Sequence, residues 1–304
     1  MKKTMLFLML LAGCCLVFQP VGAQEKRNRG MNISTDGDGT ITECGQIRIR
    51  FGDAETVRSQ LVMTAPRLNT PLQVKASKNG GVHVQGGGGN EFSITACLAA
   101  ASDSANDAKA LLDQIRLSVQ DGKVVLEGPN PQDWVAYLLV QAPNGSSLNL
   151  EALNGPIGVH DFSGNIQARN VNGPLTFRGV NGEVRGEVQN GPITVSGSGG
   201  DFRLSAQNGP LTVKLDGMQW QGGELEGKTQ NGPLTLSVPE SYLSPVRVDA
   251  SKHSPIECRA VQCKQAVRTW DRPSVIEFGG GSTPIVRLST VNGPVTIVSS
   301  GHDK

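Results

Sequence analysis

The middle of the chain repeats one pattern of apolar and polar positions every 18 residues. The tripeptide Asn-Gly-Pro marks the repeat and occurs at Asn154, Asn172, Asn190, Asn208, Asn231 and Asn292. The first four are 18 residues apart, and the next follows after 23 residues. Such regular spacing is typical of repeat architectures, in which each unit packs on its neighbours.

Each unit predicts two short strands separated by turns. One apolar column contains Ile157, Leu175, Ile193 and Leu211, and a second contains Val159, Phe177, Val195 and Val213. Between the two columns stand Gly158, Thr176, Thr194 and Thr212. Because strand side chains alternate between faces, we expect the apolar columns to point inward and the threonines outward.

The repeat favours a single-chain parallel β-solenoid with 18-residue coils. In-register coils would stack identical residues about 4.8 Å apart, so that Asn172, Asn190 and Asn208 could form a ladder of amide groups. The alternative is an antiparallel β-sandwich, because Asn-Gly turns also suit tight hairpins. The sequence thus predicts an all-β protein with these two arrangements open.

The pattern divides the chain into three parts. Residues 1–23 are interpreted as a signal peptide, 24–130 as an N-terminal β-rich segment, and 131–304 as the repeat domain. A helix near 103–115, capped by Ser102 or Ser104, interrupts the N-terminal segment. An irregular insertion over 239–290 departs from the period, and Asn292 begins a last coil.

The first residues predict export. Lys2 and Lys3 precede an apolar run that ends before Ala23, where a signal peptidase would cleave. Leu11-Ala12-Gly13-Cys14 also matches a lipobox, which would place a lipid anchor on Cys14. Both soluble export and lipidation stay open, and either places the chain in the periplasm, in the outer membrane or at the cell surface.

Export accounts for the cysteines. Four remain after cleavage at Ala23, namely Cys44, Cys97, Cys258 and Cys263. An even number in an oxidising compartment predicts two disulfides, for which three pairings exist. We favour Cys258–Cys263, which closes a short loop, and Cys44–Cys97. A zinc site is disfavoured because no histidine lies near either pair.

Charge and composition exclude some functions. Without its first 23 residues the chain has 26 basic and 27 acidic residues, because Lys2 and Lys3 are removed. This balance lacks the positive charge that nucleic-acid binding requires. Only 4% of the residues are aromatic, so the core must consist mainly of Val, Ile and Leu. The 38 glycines are too regularly placed for a disordered chain.

No motif predicts a cofactor or a metal. Residues 36–42, Asp-Gly-Asp-Gly-Thr-Ile-Thr, resemble the centre of a calcium loop, but Gly45 stands where the last ligand should be a glutamate. The repeat also lacks the recurring aspartate of calcium-binding β-rolls. Four glycines at 86–89 are followed by a strand pattern and not by the helix of a phosphate loop. They predict a turn.

Catalytic residues are not evident either. Glycan-cleaving β-helices need clustered carboxylates. Only Glu183 and Asp201 share a position in successive units, which is typical of a solvated edge. Trp134, Trp220 and Trp270 could stack on sugar rings, but buried or capping roles are favoured.

The repeat and the residues after it resemble a known family. Asn-Gly-x-apolar units, Gly279-Gly280-Gly281, Ile285-Val286-Arg287-Leu288 and a closing Asn292-Gly293 strand are similar to the bacterial putative-adhesin family with β-strand repeats, a domain of unknown function. The resemblance covers roughly 130–304 well and 31–129 more loosely. It implies an exported, right-handed parallel β-helix-like fold without known catalytic residues.

Together these observations predict a non-enzymatic extracytoplasmic β-repeat protein, a structural or adhesive module of the cell envelope. Its partner would be an envelope glycan or a protein surface, and membrane contact would come only through a lipid anchor. The alternative function is that of a secreted β-helix carbohydrate-active enzyme, a lyase or a hydrolase.

Overall fold

The computed structural model describes residues 31–35, 40–52, 54–251, 254–269, 274–281, 283 and 285–300. The predicted signal peptide, the lipidation site at Cys14, the aspartates of the calcium-loop-like stretch and Trp270 lie outside the described residues.

Strands dominate the described residues. The N-terminal strands are β1 (Met31–Thr35), β2 (Ile47–Phe51), β3 (Glu55–Pro66), β4 (Leu72–Lys75), β5 (Val82–Gly87), β6 (Glu91–Ser102), β7 (Arg116–Gln120), β8 (Lys123–Glu127) and β9 (Trp134–Pro143). The repeat strands are β10 (Ser147–Asn154), β11 (Ile157–His160), β12 (Asn165–Asn172), β13 (Leu175–Arg178), β14 (Glu183–Asn190), β15 (Ile193–Gly197), β16 (Asp201–Asn208), β17 (Leu211–Leu215), β18 (Leu225–Asn231) and β19 (Leu234–Pro239). The last strands are β20 (Val246–Ala250), β21 (Ile256–Cys258), β22 (Val267–Thr269), β23 (Ser274–Phe278), β24 (Val286–Asn292) and β25 (Val295–Ser300). The helices are α1 (Ala105–Leu112) and two short 3₁₀ helices, Cys44–Gln46 and Val261–Lys264.

Two large, mostly parallel sheets enclose one apolar core. The twelve-stranded sheet has the order β22-β23-β20-β24-β18-β16-β14-β12-β10-β4-β8-β7, and the eleven-stranded sheet has the order β21-β25-β19-β17-β15-β13-β11-β5-β9-β6-β3. Side chains from both sheets meet in the same buried cluster. The protein is therefore all-β, and the one α-helix among the described residues, α1, lies at the N-terminal end.

The repeat fixes the register of the parallel strands. From β10 to β19 the chain alternates between the two sheets and pairs each strand in parallel with the next strand of the same sheet. Leu175 pairs with Ile193, and Ile193 pairs with Leu211, so each return takes one 18-residue unit. Both apolar columns are buried, whereas the threonines between them face outward. The antiparallel hairpins of the alternative fold are not formed here.

The Asn-Gly corners bring successive backbones into close contact. A Cβ atom added to Gly191 would collide with the carbonyl oxygen of Gly173, and one added to Gly209 would collide with that of Gly191. Gly191 also has a φ of +154°, where side chains are unfavourable. Glycine recurs at this position because the stacked corners leave no space for a side chain.

The order of units in the stack differs from their order in the sequence at both ends. Asn292 returns the chain to the repeat as predicted, because β24 and β25 pair in register with β18 and β19. This unit is last along the chain but not at the end of the stack, since β20 and β21 pair with its other side. Asn292 carries the Asn-Gly-Pro corner that fits on Asn231, whereas β20 and β21 lack this corner and occupy the outer position. At the other end, β4 and β5 pair with β10 and β11 in register, although about 75 residues separate them.

Antiparallel strands close the two ends of the stack. At the N-terminal end β3, β6 and β9 are antiparallel, as are β7 and β8. Helix α1 packs there, and the hydroxyl of Ser104 accepts a hydrogen bond from the backbone N–H of Asp107 at 3.1 Å. Of the two predicted caps, Ser104 is thus the one used. At the C-terminal end β23 pairs antiparallel with β20 and β22.

Candidate functional site

The outward face of the eleven-stranded sheet carries a column of threonines. Five neighbouring strands, β13, β15, β17, β19 and β25, each place a threonine at the same register position. We call this surface the threonine face, and its column consists of Thr176, Thr194, Thr212, Thr235 and Thr296. Because parallel strands lie about 4.8 Å apart, the hydroxyl groups repeat at that interval along a half-buried surface. A regular surface of this kind suits many identical weak contacts.

The outward face of the twelve-stranded sheet carries charged side chains, several of which form ion pairs with one another. Arg169 binds the carboxylate of Glu187 at 3.2 Å, and Arg247 contacts Asp249 at 2.8 Å and Glu277 at 2.9 Å. These groups are partly or largely exposed, where single ion pairs contribute little stability.

The predicted acidic pair is part of that charged face. Glu183 and Asp201 do lie opposite each other on β14 and β16. The carboxylate of Glu183, however, accepts a hydrogen bond from Arg185 at 2.6 Å. Glu183 is therefore ion-paired at a solvated edge of the sheet.

The asparagine corners form a ladder along one edge of the stack. Each Nδ2 donates to the Oδ1 of the preceding corner at 2.8–3.0 Å. The ladder consists of Asn79, Asn154, Asn172, Asn190, Asn208, Asn231 and Asn292. The amide ladder expected from the repeat is thus present. It also includes Asn79, which Gly80 follows as glycine follows each of the other corner asparagines.

A small N-terminal flap covers one end of the eleven-stranded sheet. The flap consists of the described residues of 31–51, including the β1–β2 hairpin, and it packs on β6 and β9 through a second apolar cluster that contains Ile47, Phe51 and Tyr137. A disulfide between Cys44 and Cys97 ties the flap to β6. The threonine face begins farther along the same sheet, at β13.

The second disulfide, Cys258–Cys263, closes a short loop after β21. Both pairings are those favoured from the sequence. They support an oxidising location outside the cytoplasm.

Two buried histidines meet at the margin of the flap. His83 on β5 and His160 on β11 are 4% and 6% exposed, and their ring centroids are 4.6 Å apart. Gly158 occupies the threonine position between them, and a Cβ atom there would lie only 3.0 Å from Nδ1 of His83. The repeat therefore departs from threonine at Gly158 because the imidazoles fill that space.

This histidine pair is held in the neutral form. Burial, and secondarily the charge of His160, lowers the pKa of His83 to about 4. Burial also lowers the pKa of His160, with Arg178 adding to the effect and Asp161 opposing it. Thr40 of the flap lies 3.3 Å from Nδ1 of His160 and can hydrogen-bond to it. Sequence reasoning missed this pair because the histidines are isolated in sequence and only the register of β5 and β11 joins them.

We expect stability to fall as the pH drops from about 6.5 to 4. In this range the unfolded chain protonates His83 and the folded chain does not, so the free energy of unfolding should decrease by about 3 kcal/mol in total. Above pH 6.5 both states are neutral at this residue and the contribution vanishes. Urea denaturation of the wild type and of His83→Gln at pH 7 and pH 4.5 measures it. The same pH dependence in both proteins would contradict the assignment.

A cleft of about 910 Å³ lies where β4 and β8 separate. These strands pair over only two positions before they diverge. The Oδ1 atom of Asn149, which lines the cleft, is buried without a hydrogen-bond partner among the described residues. The side chains around it include Lys75, Lys78, Lys123, Leu126, Glu127 and Glu151. Its size is that of a small-ligand site, but the mixed charges favour no single class of ligand.

The two described tryptophans do not form a sugar-stacking surface. Trp134 and Trp220 are 6% and 4% exposed, and their indole N–H groups donate to backbone carbonyls at 2.8 Å. The buried roles favoured for these two residues are confirmed.

The described ranges contain neither a metal-binding cluster nor a membrane-spanning helix. There, no three His, Cys, Asp or Glu side chains come together in an arrangement that could hold a metal ion. No helix in the same ranges has the length and apolar character needed to span a membrane.

Several solved structures are similar to this chain. One is a putative cell adhesion protein from Clostridium sporogenes, with 12% identity and a TM-score of 0.30, where the match covers 80% of this chain and 100% of the other. Another is a putative adhesin from Parabacteroides merdae, with 8% identity and a TM-score of 0.35, where the match covers 82% of this chain and 98% of the other. A third is a putative lipid binding protein from Parabacteroides distasonis, with 9% identity, a TM-score of 0.28 and coverage of 82% and 98%.

The adhesin descriptions are consistent with the putative-adhesin family that the sequence resembles. No protein-family model and no curated protein sequence matches the chain.

Proposed function

We propose that this chain is a non-enzymatic β-solenoid of the bacterial cell envelope that acts as a structural or adhesive module. Its coils would be the 18-residue units, wound as in right-handed β-helices. The observation that carries the proposal is the threonine face, which presents one hydroxyl from each of five neighbouring strands.

The partner best suited to this face is an envelope glycan. Sugar hydroxyls can exchange hydrogen bonds with threonine hydroxyls, and repetition along the stack would compensate for the weakness of each contact. The two described tryptophans are buried, so recognition would depend on hydrogen bonds and not on aromatic stacking. A repetitive protein surface is the second candidate, because it could use the same hydroxyls.

Two lysines on the threonine face should weaken glycan binding. In Thr194→Lys/Thr212→Lys the new side chains would cover the hydroxyl column, and binding to purified envelope glycan should fall by at least about tenfold. The matched control is Gln167→Lys/Ser205→Lys, which adds the same charge to the outward face of the other sheet. Equal losses in the two variants would contradict the choice of face.

A release assay on the same glycans separates this proposal from the enzyme alternative. An adhesive module binds the polymer and leaves its chain length unchanged. New reducing or unsaturated ends, produced by the wild type and lost in Glu183→Gln/Asp201→Asn, would overturn the proposal in favour of a hydrolase or lyase.

A further inference from the structure

Strand β3 forms a long free edge at the N-terminal end of the eleven-stranded sheet. It pairs with β6 over all twelve residues, and no described strand pairs with its other side. At the opposite end of the stack the outermost strands, β21 and β22, have three residues each. Natural sheets usually shorten, charge or cover their edges to prevent association, and β3 lacks this protection over most of its length.

The backbone groups of alternate residues point away from β6. The N–H of Arg67 donates to the carbonyl of Asn90 at 3.1 Å, which shows that the odd-numbered residues face β6 in this antiparallel pair. The N–H and C=O groups of Arg58, Gln60, Val62 and Thr64 therefore lie on the free edge. These residues are exposed, and the side chain of Val62 is 60% exposed at the middle of the edge.

We propose that this edge pairs with β3 of a second copy of the chain in an antiparallel, two-fold symmetric dimer. If the axis passes through Val62, this side chain lies opposite Val62 of the second copy. Leu61 then lies opposite Met63, and Gln60 opposite Thr64. In these three central pairs, apolar residues meet apolar residues on both faces of the sheet, and polar residues meet polar ones. Pairing centred on Gln60 would instead place Val62 against Arg58.

The pairing gives the free backbone groups their partners. Val62 would exchange two hydrogen bonds with its copy, and each Gln60–Thr64 pair would exchange two more, as in a regular antiparallel ladder. Pro66 lacks an N–H group and limits the ladder at its end. The contact is isologous, so it closes on itself as a dimer and does not extend into a fibre.

Cysteine substitution at the two-fold axis tests the proposal. In Val62→Cys the two new residues would have Cα atoms about 5.5 Å apart, which a disulfide can bridge. The exported protein should therefore form a covalent dimer under mild oxidation. The control is Val267→Cys on β22, because Val267 is similarly exposed, at 64%, but lies at the other end of the stack.

A charge at the same position should separate the copies. Light scattering should give twice the single-chain mass for the wild type and for Val267→Lys. Val62→Lys, which places like charges opposite each other, should weaken the dimer by at least about tenfold and leave the circular dichroism spectrum unchanged. A wild-type monomer at all concentrations overturns the proposal. So does a dimer that Val62→Lys does not weaken, or crosslinking of Val62→Cys no faster than that of Val267→Cys.

Discussion

Deletion of residues 190–207 should leave a cooperatively folded protein, whereas deletion of residues 190–198 should abolish cooperative folding. The longer deletion removes β15 and β16 together, one strand from each sheet. Asn208 then follows Gln189 as Asn190 did, β13 can pair with β17, and β14 can pair with β18. Every apolar column and the asparagine ladder keep their register, so only one unit's share of the core is lost.

The shorter deletion removes β15 and keeps β16. The chain would then pass from β14 to β16 within the twelve-stranded sheet, while the eleven-stranded sheet would lack the strand between β13 and β17. The two sheets would no longer match in length, and the corners would not stack. Urea denaturation followed by circular dichroism measures both effects. If both deletions prove equally harmful, the 18-residue unit is not the structural unit of this protein.

Val195→Asp should destabilise the protein by more than about 3 kcal/mol. Burial of a valine contributes about 1.5–3 kcal/mol, and an unpaired charge in the core adds a larger penalty. Val195 is 1% exposed and lies between Phe177 and Val213 in an apolar column. The free energy of unfolding in urea at pH 7, where the aspartate is charged in the unfolded chain, gives the size of the loss.

The neighbouring residue is the matched control. Thr194 faces outward between Thr176 and Thr212, so Thr194→Asp should change the free energy of unfolding by less than about 1 kcal/mol. If Val195→Asp and Thr194→Asp lower the free energy of unfolding by similar amounts, the strand does not have one buried and one solvent-exposed face.

The sequence by itself determined the repeat. Within each strand, apolar and polar side chains alternate, so the apolar ones share one face. Identical residues recur at the same offset in every 18-residue unit, which favours parallel stacking of the units. The inward columns, the outward threonines and the amide ladder could therefore be inferred without coordinates, whereas the two disulfide pairings were only favoured among the three possible. Each of these depends on local patterns or on spacing that repeats along the chain.

Only the tertiary structure decided the order of units at the two ends. Whether β20 or β24 pairs with β18 is a choice between strands that are distant in sequence, and the local pattern of each is compatible with a sheet interior. Asn292 settles the choice because its corner stacks on that of Asn231, a contact that arises only when the rest of the stack is in place.

The histidine pair, the flap and the free edge of β3 also depend on tertiary structure, because each arises from strands that are distant in sequence. His83 and His160 are far apart in sequence and meet because β5 and β11 are paired in register. The antiparallel strands at the N-terminal end show no repeat that would reveal their partners. Their pairing depends on long-range packing, because the hydrophobic effect specifies which side chains are buried and not which strands bury them.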